Sequence, residues 1–188
     1  MGPATGAKLP SKDNILAMLD AKAQDSSIKP YEEKLVATNL LTNMPKAGKL
    51  VSSKKNALLG TTELLLSNGV KVSLKVTDFK NDQILFSASR YGGLSNYALK
   101  DKYSAENAVS MVASMGVGAF SPTDLGKALA GKVAMLRPSM SNYSAGFSGS
   151  SSKKDIETLF QLLNLYVKEP RKDSTLFKSI IQRGKAQV

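Results

Sequence analysis

The stretch TTELLLSNGVKVSLKV, residues 61–76, carries the first decision about the fold. Leu64 and Leu66 alternate on one arm, and Val70, Val72, Leu74 and Val76 alternate on the other, with Ser67-Asn68-Gly69 between them. A period of two puts every second side chain on one face of a pleated strand. Asn-Gly tolerates the positive φ that a tight hairpin turn demands. The stretch is therefore predicted as a β-hairpin. Ile84–Ser89 continues it as a third strand, and the Gly92-Gly93 that follows permits a close-packed backbone.

Downstream the period changes. Ala105, Ala108, Val112 and Met115 recur at helical spacing, so Ser104 to Met115 is predicted as a helix stopped by Gly116. Ser121-Pro122-Thr123-Asp124 is a helix start: serine caps, proline occupies a position where no N–H is needed, and aspartate favours the positive end of the dipole. Gly131 ends that helix, and Lys132–Pro138 and Asn142–Ser148 read as two more strands. A helix opening at Ser152-Lys153-Lys154-Asp155 carries Ile156, Leu159, Phe160, Leu163 and Val167 as its apolar face until Pro170. Asp173 caps a last helix holding Leu176, Phe177, Ile180 and Ile181. This order predicts an α+β two-layer sandwich, a mostly antiparallel sheet with helices packed on one face.

Upstream the signals are weaker. Residues 1–10 show no period and read as disordered, whereas Ser11 to about Gln24 reads as a helix with Ile15, Leu16, Met18 and Leu19 on its apolar side. Pro30 through Asn43, with Leu35, Val36, Leu40 and Leu41, fits a short helix or an extended arm equally. Pro45 to Leu59 is polar and lysine-rich and reads as a connector.

Composition excludes several chemistries outright. The 188 residues contain no histidine and no cysteine, so the chain by itself offers no imidazole base, thiol nucleophile, disulfide or His/Cys zinc site. The net charge of +11 suits anionic partners. The lysines, however, are spread along the chain, with no arginine-rich tract and no RNA-binding aromatic signature, so nucleic acid is not expected. No apolar run reaches the ~20 residues of a membrane span.

Four local patterns invite functional readings. Gly116-Val117-Gly118-Ala119-Phe120 looks like part of a phosphate loop but lacks the Gly-Lys-Ser/Thr ending and follows a helix, so a helix-to-helix turn is expected. Ser152-Lys153 is a formal serine–lysine pair for hydrolysis, but both are expected to be exposed, which leaves the lysine without the desolvation a base requires. Asp78, Asp82 and Asp101 match no calcium loop. Tyr91, Tyr97, Tyr103 and Tyr143 are candidates for lining a peptide groove.

One resemblance runs through most of the chain. It is carried by Thr61–Glu63 with LLLSNGVKV, TDFKND at 77–82, Gly92-Gly93-Leu94-Ser95, GVGAFS at 116–121, Asp124-Leu125, LAGK at 129–132 and GSSSKKD at 149–155, in that order. From about Leu59 onward the chain resembles the insulinase/pitrilysin-type zinc peptidases, and specifically the third of four homologous domains in bacterial forms. The resemblance implies two halves of two domains each, closing around a peptide. It implies zinc in the first domain only, on an inverted H-x-x-E-H helix with a distal glutamate. Residues 1–58 would then be the linker or arm between halves, and 59–188 part of a non-catalytic domain.

On that resemblance the metal helix would fall near Ser104–Met115, whose only carboxylate is Glu106; Ser104, Ala105 and Ala108 supply no ligands. The last helix, from Ser174, has no acidic residue for the distal position. No catalytic, cofactor-binding or metal-ligating residue is therefore assigned to this chain. Zinc is expected in the first domain of the parent chain. The implied partners are the other domains of the parent and its peptide substrate. The implied role is structural, a part of the chamber wall, in the periplasm or cell envelope. The alternatives are a self-standing basic module binding protein or nucleic acid, and an independent Ser/Lys hydrolase.

Overall fold

A computed structural model describes residues 10–27, 29 and 39–186. The chain divides into two units, residues 1–35 and 36–188. The expected disorder at 1–9 and the undecided segment at 30–38 lie outside the described residues. In the first unit, α1 (Lys12–Ala23) is capped by Ser11, whose hydroxyl accepts from the Asn14 N–H at 3.2 Å. None of its residues is buried.

The second unit is α+β. Its strands are β1 (Leu50–Asn56), β2 (Thr61–Leu66), β3 (Lys71–Lys75), β4 (Ile84–Tyr91), β5 (Ala134–Met140) and β6 (Ser144–Ser151). Its helices are α2 (Lys102–Ser114), α3 (Pro122–Ala128), α4 (Ile156–Lys168) and α5 (Ser174–Lys185). The sequence predicts one sheet. The described strands instead form two antiparallel sheets of three, ordered β1-β2-β3 and β4-β6-β5.

The hairpin of the first sheet is as predicted in place and differs in turn geometry. The Gly69 N–H reaches Leu66 O at 2.9 Å, the Leu66 N–H reaches Val70 O at 2.9 Å, and only Gly69 takes positive φ (+83°). This is a three-residue loop, not the two-residue form. The connector expected at Pro45–Leu59 is corrected: Leu50–Asn56 is a strand, pairing Lys54 with Glu63 and Lys55 with Thr62. LVSSKKN has little apolar alternation, so its state is decided by the β2 backbone beside it.

In the second sheet, β6 is central and antiparallel to both neighbours. Register places Ile84, Phe86, Ala88, Phe147, Leu136 and Pro138 on one face. Helix α4 covers that face: Phe86 meets Phe160 edge-on at 5.7 Å, and Leu136 shares a core with Val117, Ala128, Leu162 and Leu165. Leu40 joins this core from the N-terminal side, its N–H donating to Gln161 Oε1 at 3.2 Å. The predicted apolar face of α4 is rotated in the structure. Leu159, Leu162 and Leu165 are buried, whereas Phe160 and Val167 stay at least half exposed. Eight of its thirteen residues are apolar, a wider arc than the sheet covers, so the pattern alone does not select which part of that arc is buried.

Strands β5 and β6 sit two to three residues later than predicted, because Ser141-Asn142-Tyr143 forms their turn, with the Ser141 N–H on Ser144 O at 2.8 Å. Helix α3 opens at Pro122 with the Ser121 hydroxyl accepting from the Asp124 N–H, and closes at Ala128 before Gly131.

Candidate binding surface

The start of α4 disposes of the serine–lysine reading. Ser152 is 6% exposed, which corrects the expectation that it is open to solvent. Its hydroxyl donates to Asp155 Oδ2 at 2.8 Å and accepts from the Asp155 N–H at 3.1 Å. The same Oδ2 accepts from the Val133 N–H at 2.8 Å, and the Lys153 N–H is held by Asp82 Oδ1 at 2.9 Å. These groups staple the start of α4 to the residues that lead into β5 and β4, and leave the serine oxygen no path to a substrate.

The Val133 N–H first, and the Ser152 hydroxyl second, hold the Asp155 carboxyl below its ordinary value of 3.8. A carboxyl with a lowered native pKa contributes stability that is complete above its unfolded value and is lost as pH falls through the native one. Melting temperature is therefore expected to drop as pH passes below about 3.8. Asp155→Asn is expected to melt lower at pH 7 and to flatten that acid limb. An unchanged slope in the variant would show that Asp155 is not a titrating staple.

Gly116–Phe120 is a closed turn. The Val117 N–H bonds Phe120 O at 3.0 Å, the Phe120 N–H bonds Val117 O at 2.9 Å, and the Gly118 N–H bonds Glu169 O at 2.8 Å. These amides are spent inside the protein, and a phosphate would find no nest.

Helix α2 occupies the position implied for a metal helix. Its one carboxylate, Glu106, lies 3.9 Å from Lys102 Nζ, and Ala105 is buried where the helix turns inward. Zinc needs three or four nitrogen, sulfur or oxygen donors around one point. Among the described residues no group of three or more His, Cys, Asp or Glu side chains could hold a metal ion, so Asp78, Asp82 and Asp101 are not brought together either. The residues present do not fit zinc.

What the fold does assemble is a surface. Pairing register puts Ser87 and Ser89 of β4, Ser144, Gly146, Ser148 and Ser150 of β6, and Arg137 and Ser139 of β5 on the sheet face away from α4. Leu85 and Met135 stand exposed at one end of this small-residue face, and Tyr91 at the other. Around the edge of β5 the face turns into a groove of about 670 Å³ between that strand and α2. Val109, Ala113, Leu136 and Pro138 give it apolar walls, and Glu106, Ser110, Arg137 and Tyr166 give it polar points. Burial pushes the Tyr166 hydroxyl above its ordinary value.

The tyrosines proposed from sequence do not line this groove. Tyr91, Tyr97, Tyr103 and Tyr143 are all more than half exposed, and the lining tyrosine is Tyr166, in the last turn of α4. Arg137 and Tyr166 carry no local motif. Only the alternation of MLRPSM, which sends Arg137 to the side opposite Leu136, hints at them.

The chain is 29% identical over 125 residues to a "Zinc protease PQQL-like" of Arabidopsis thaliana and 32% identical over 117 residues to a "Probable zinc protease PqqL" of Haemophilus influenzae. The chain is a relative of the PqqL-like zinc proteases, of the insulinase/pitrilysin type. These matches cover 66% and 62% of the chain but 13% of each relative, so it corresponds to a small part of their length. No protein-family model matches it. Among solved structures, the periplasmic protease PqqL from Escherichia coli shares the fold with a TM-score of 0.72 at 22% identity, over 96% of this chain and 20% of that one. The ferredoxin protease FusC, solved in complex with Arabidopsis ferredoxin, gives 0.68 at 20% identity, over 95% of this chain and 20% of that one. No helix among the described residues is long and apolar enough to cross a membrane.

Proposed function

We propose that the chain is a non-catalytic structural segment of a zinc metallopeptidase, forming part of the wall of its peptide-binding chamber. The observation that carries this reading is the uncovered face of the β4-β6-β5 sheet, lined by serines and a glycine in a protein homologous to zinc proteases. Small hydroxyl side chains offer hydrogen bonds to a passing peptide backbone without apolar patches that would trap it. The stretch before Val36 is the arm that joins the halves, and the unit from Val36 onward, which includes Leu40 and β1, is part of the third domain. Zinc and its ligands belong to the first domain of the parent, and this segment supplies packing partners and surface. The parent works in the periplasm, as the Escherichia coli structural relative does.

The test uses a full-length protease carrying this segment. Ser148 is exposed at the centre of the open face, so Ser148→Trp leaves the core alone. It is expected to lower kcat/KM on a quenched fluorescent peptide about fivefold or more, with zinc content unchanged. Full kcat/KM in a correctly folded variant would reject the wall.

A further inference from the structure

We propose that the groove between α2 and β5 is a subsite for an extended peptide segment that presents a carboxylate to Arg137. The proposal rests on the chamber-wall reading and adds to it a place and a chemistry of contact. Three observations select the occupant. The first is shape: six consecutive positions of β5, 135–140, form one wall, and Glu106, Val109, Ser110 and Ala113 form the other, on one stripe of α2. A six-residue wall is about 20 Å long, the reach of an extended hexapeptide.

The second observation is charge. Arg137 is exposed on the rim and has no ion pair or side-chain hydrogen bond among the described residues, whereas Glu106 lies near Lys102. The unpaired cation in the groove thus calls for an anion, and the apolar walls call for aliphatic side chains beside it. The third is Pro138, in the middle of the exposed edge. Proline has no N–H to give a ladder, which disfavours a second copy of the chain pairing strand to strand along β5. A short peptide, held by side chains on both walls, does not need that bond.

Fluorescence anisotropy tests this on the 188-residue chain, using the labelled peptide acetyl-Ser-Leu-Val-Glu-Val-Leu-Thr-Ser-amide and its Gln and Lys versions at the Glu position. The Glu peptide is expected to bind with a Kd below about 1 mM, and at least about fivefold tighter than the Lys peptide. Arg137→Glu is expected to weaken the Glu peptide about tenfold and to reverse the preference, with Arg137→Gln intermediate. Ser110→Trp, an exposed substitution that fills the groove, is expected to abolish binding. Melting curves confirm that each variant folds. No binding of the Glu peptide, equal binding of all three peptides, or insensitivity to Ser110→Trp would each overturn the proposal. Self-association in sedimentation that Ser110→Trp removes would overturn it in favour of a second copy. Ser148 lies outside the groove lining but pairs with Arg137, so Ser87→Trp, exposed on the same face one strand farther away, repeats the wall test and separates the two readings. A harmless Ser87→Trp with peptide binding intact removes the wall alone, and a damaging one without peptide binding removes the subsite alone.

Discussion

Replacing Gly93 by alanine is expected to cost roughly 2–5 kcal/mol, the sum of backbone strain and overpacking. Gly93 is buried and holds φ at +70°, a conformation that side chains resist. A Cβ there would stand 2.2 Å from Ser141 O, 2.7 Å from Ser144 N and 2.8 Å from Ser144 O. All three are backbone atoms of the β5–β6 turn, so no flexible side chain can yield. The close approach serves a purpose: the Gly92 N–H bonds Tyr143 O, the Leu94 N–H bonds Ser141 O and the Ser95 N–H bonds Asn142 O, each at 2.9 Å. These bonds tie the end of β4 to the far hairpin. Gly69→Ala is the control, since it shares the positive φ (+83°) and has nothing within 4 Å of its would-be Cβ. It should lose only about 1 kcal/mol. Urea unfolding of both variants decides. Equal losses would mean that strain alone, and not the contact with the turn, accounts for Gly93.

Leu162→Ala is expected to cost about 2–5 kcal/mol by emptying the centre of the core. Leu162 is 2% exposed and packs with Leu40, Val117, Ala128, Leu136 and Leu165. The neighbours come from four separate parts of the chain, so the cavity cannot close by moving one element. Against a total stability of about 5–15 kcal/mol, such a loss is a large fraction. Val167→Ala on the same helix should cost under about 1 kcal/mol, because Val167 is 62% exposed. If the two losses were alike, the rotated face of α4 would be wrong, and the one expected from Phe160, Leu163 and Val167 would stand.

That rotation marks the limit of periodicity as a guide. Helix α4 carries apolar residues at 156, 159, 160, 162, 163, 165, 166 and 167, and such a helix announces its existence without announcing its inner side. The strand β1 shows the opposite failure. LVSSKKN has nothing in its own pattern to compel an extended chain, and it becomes a strand because β2 offers unpaired backbone beside it. The open serine face was out of reach for a similar reason. Ser87 and Ser148 are 61 positions apart and share a face only through the register of β4 on β6.

The caps, by contrast, were legible one by one. Ser121 and Asp173 each accept from the N–H three residues on, as their positions predict, because a cap involves only neighbours in the chain. The same locality made the Ser67-Asn68-Gly69 turn readable. Ser152 is buried against expectation because its N–H bonds the carbonyl of Val133, 19 positions away just before β5, and not its sequence neighbours alone.

By itself, then, the amino-acid sequence determined the local elements other than β1, the α+β class, the kinship with zinc peptidases and the absence of every imidazole and thiol. Hydrogen bonds within a turn, side-chain period and atomic inventory are properties of the chain before it folds. Only the tertiary structure decided that there are two sheets, which side of α4 is buried, and that Arg137, Ser110 and Tyr166 meet around one groove. Those are outcomes of long-range pairing and close packing, where each residue's surroundings come from distant parts of the chain.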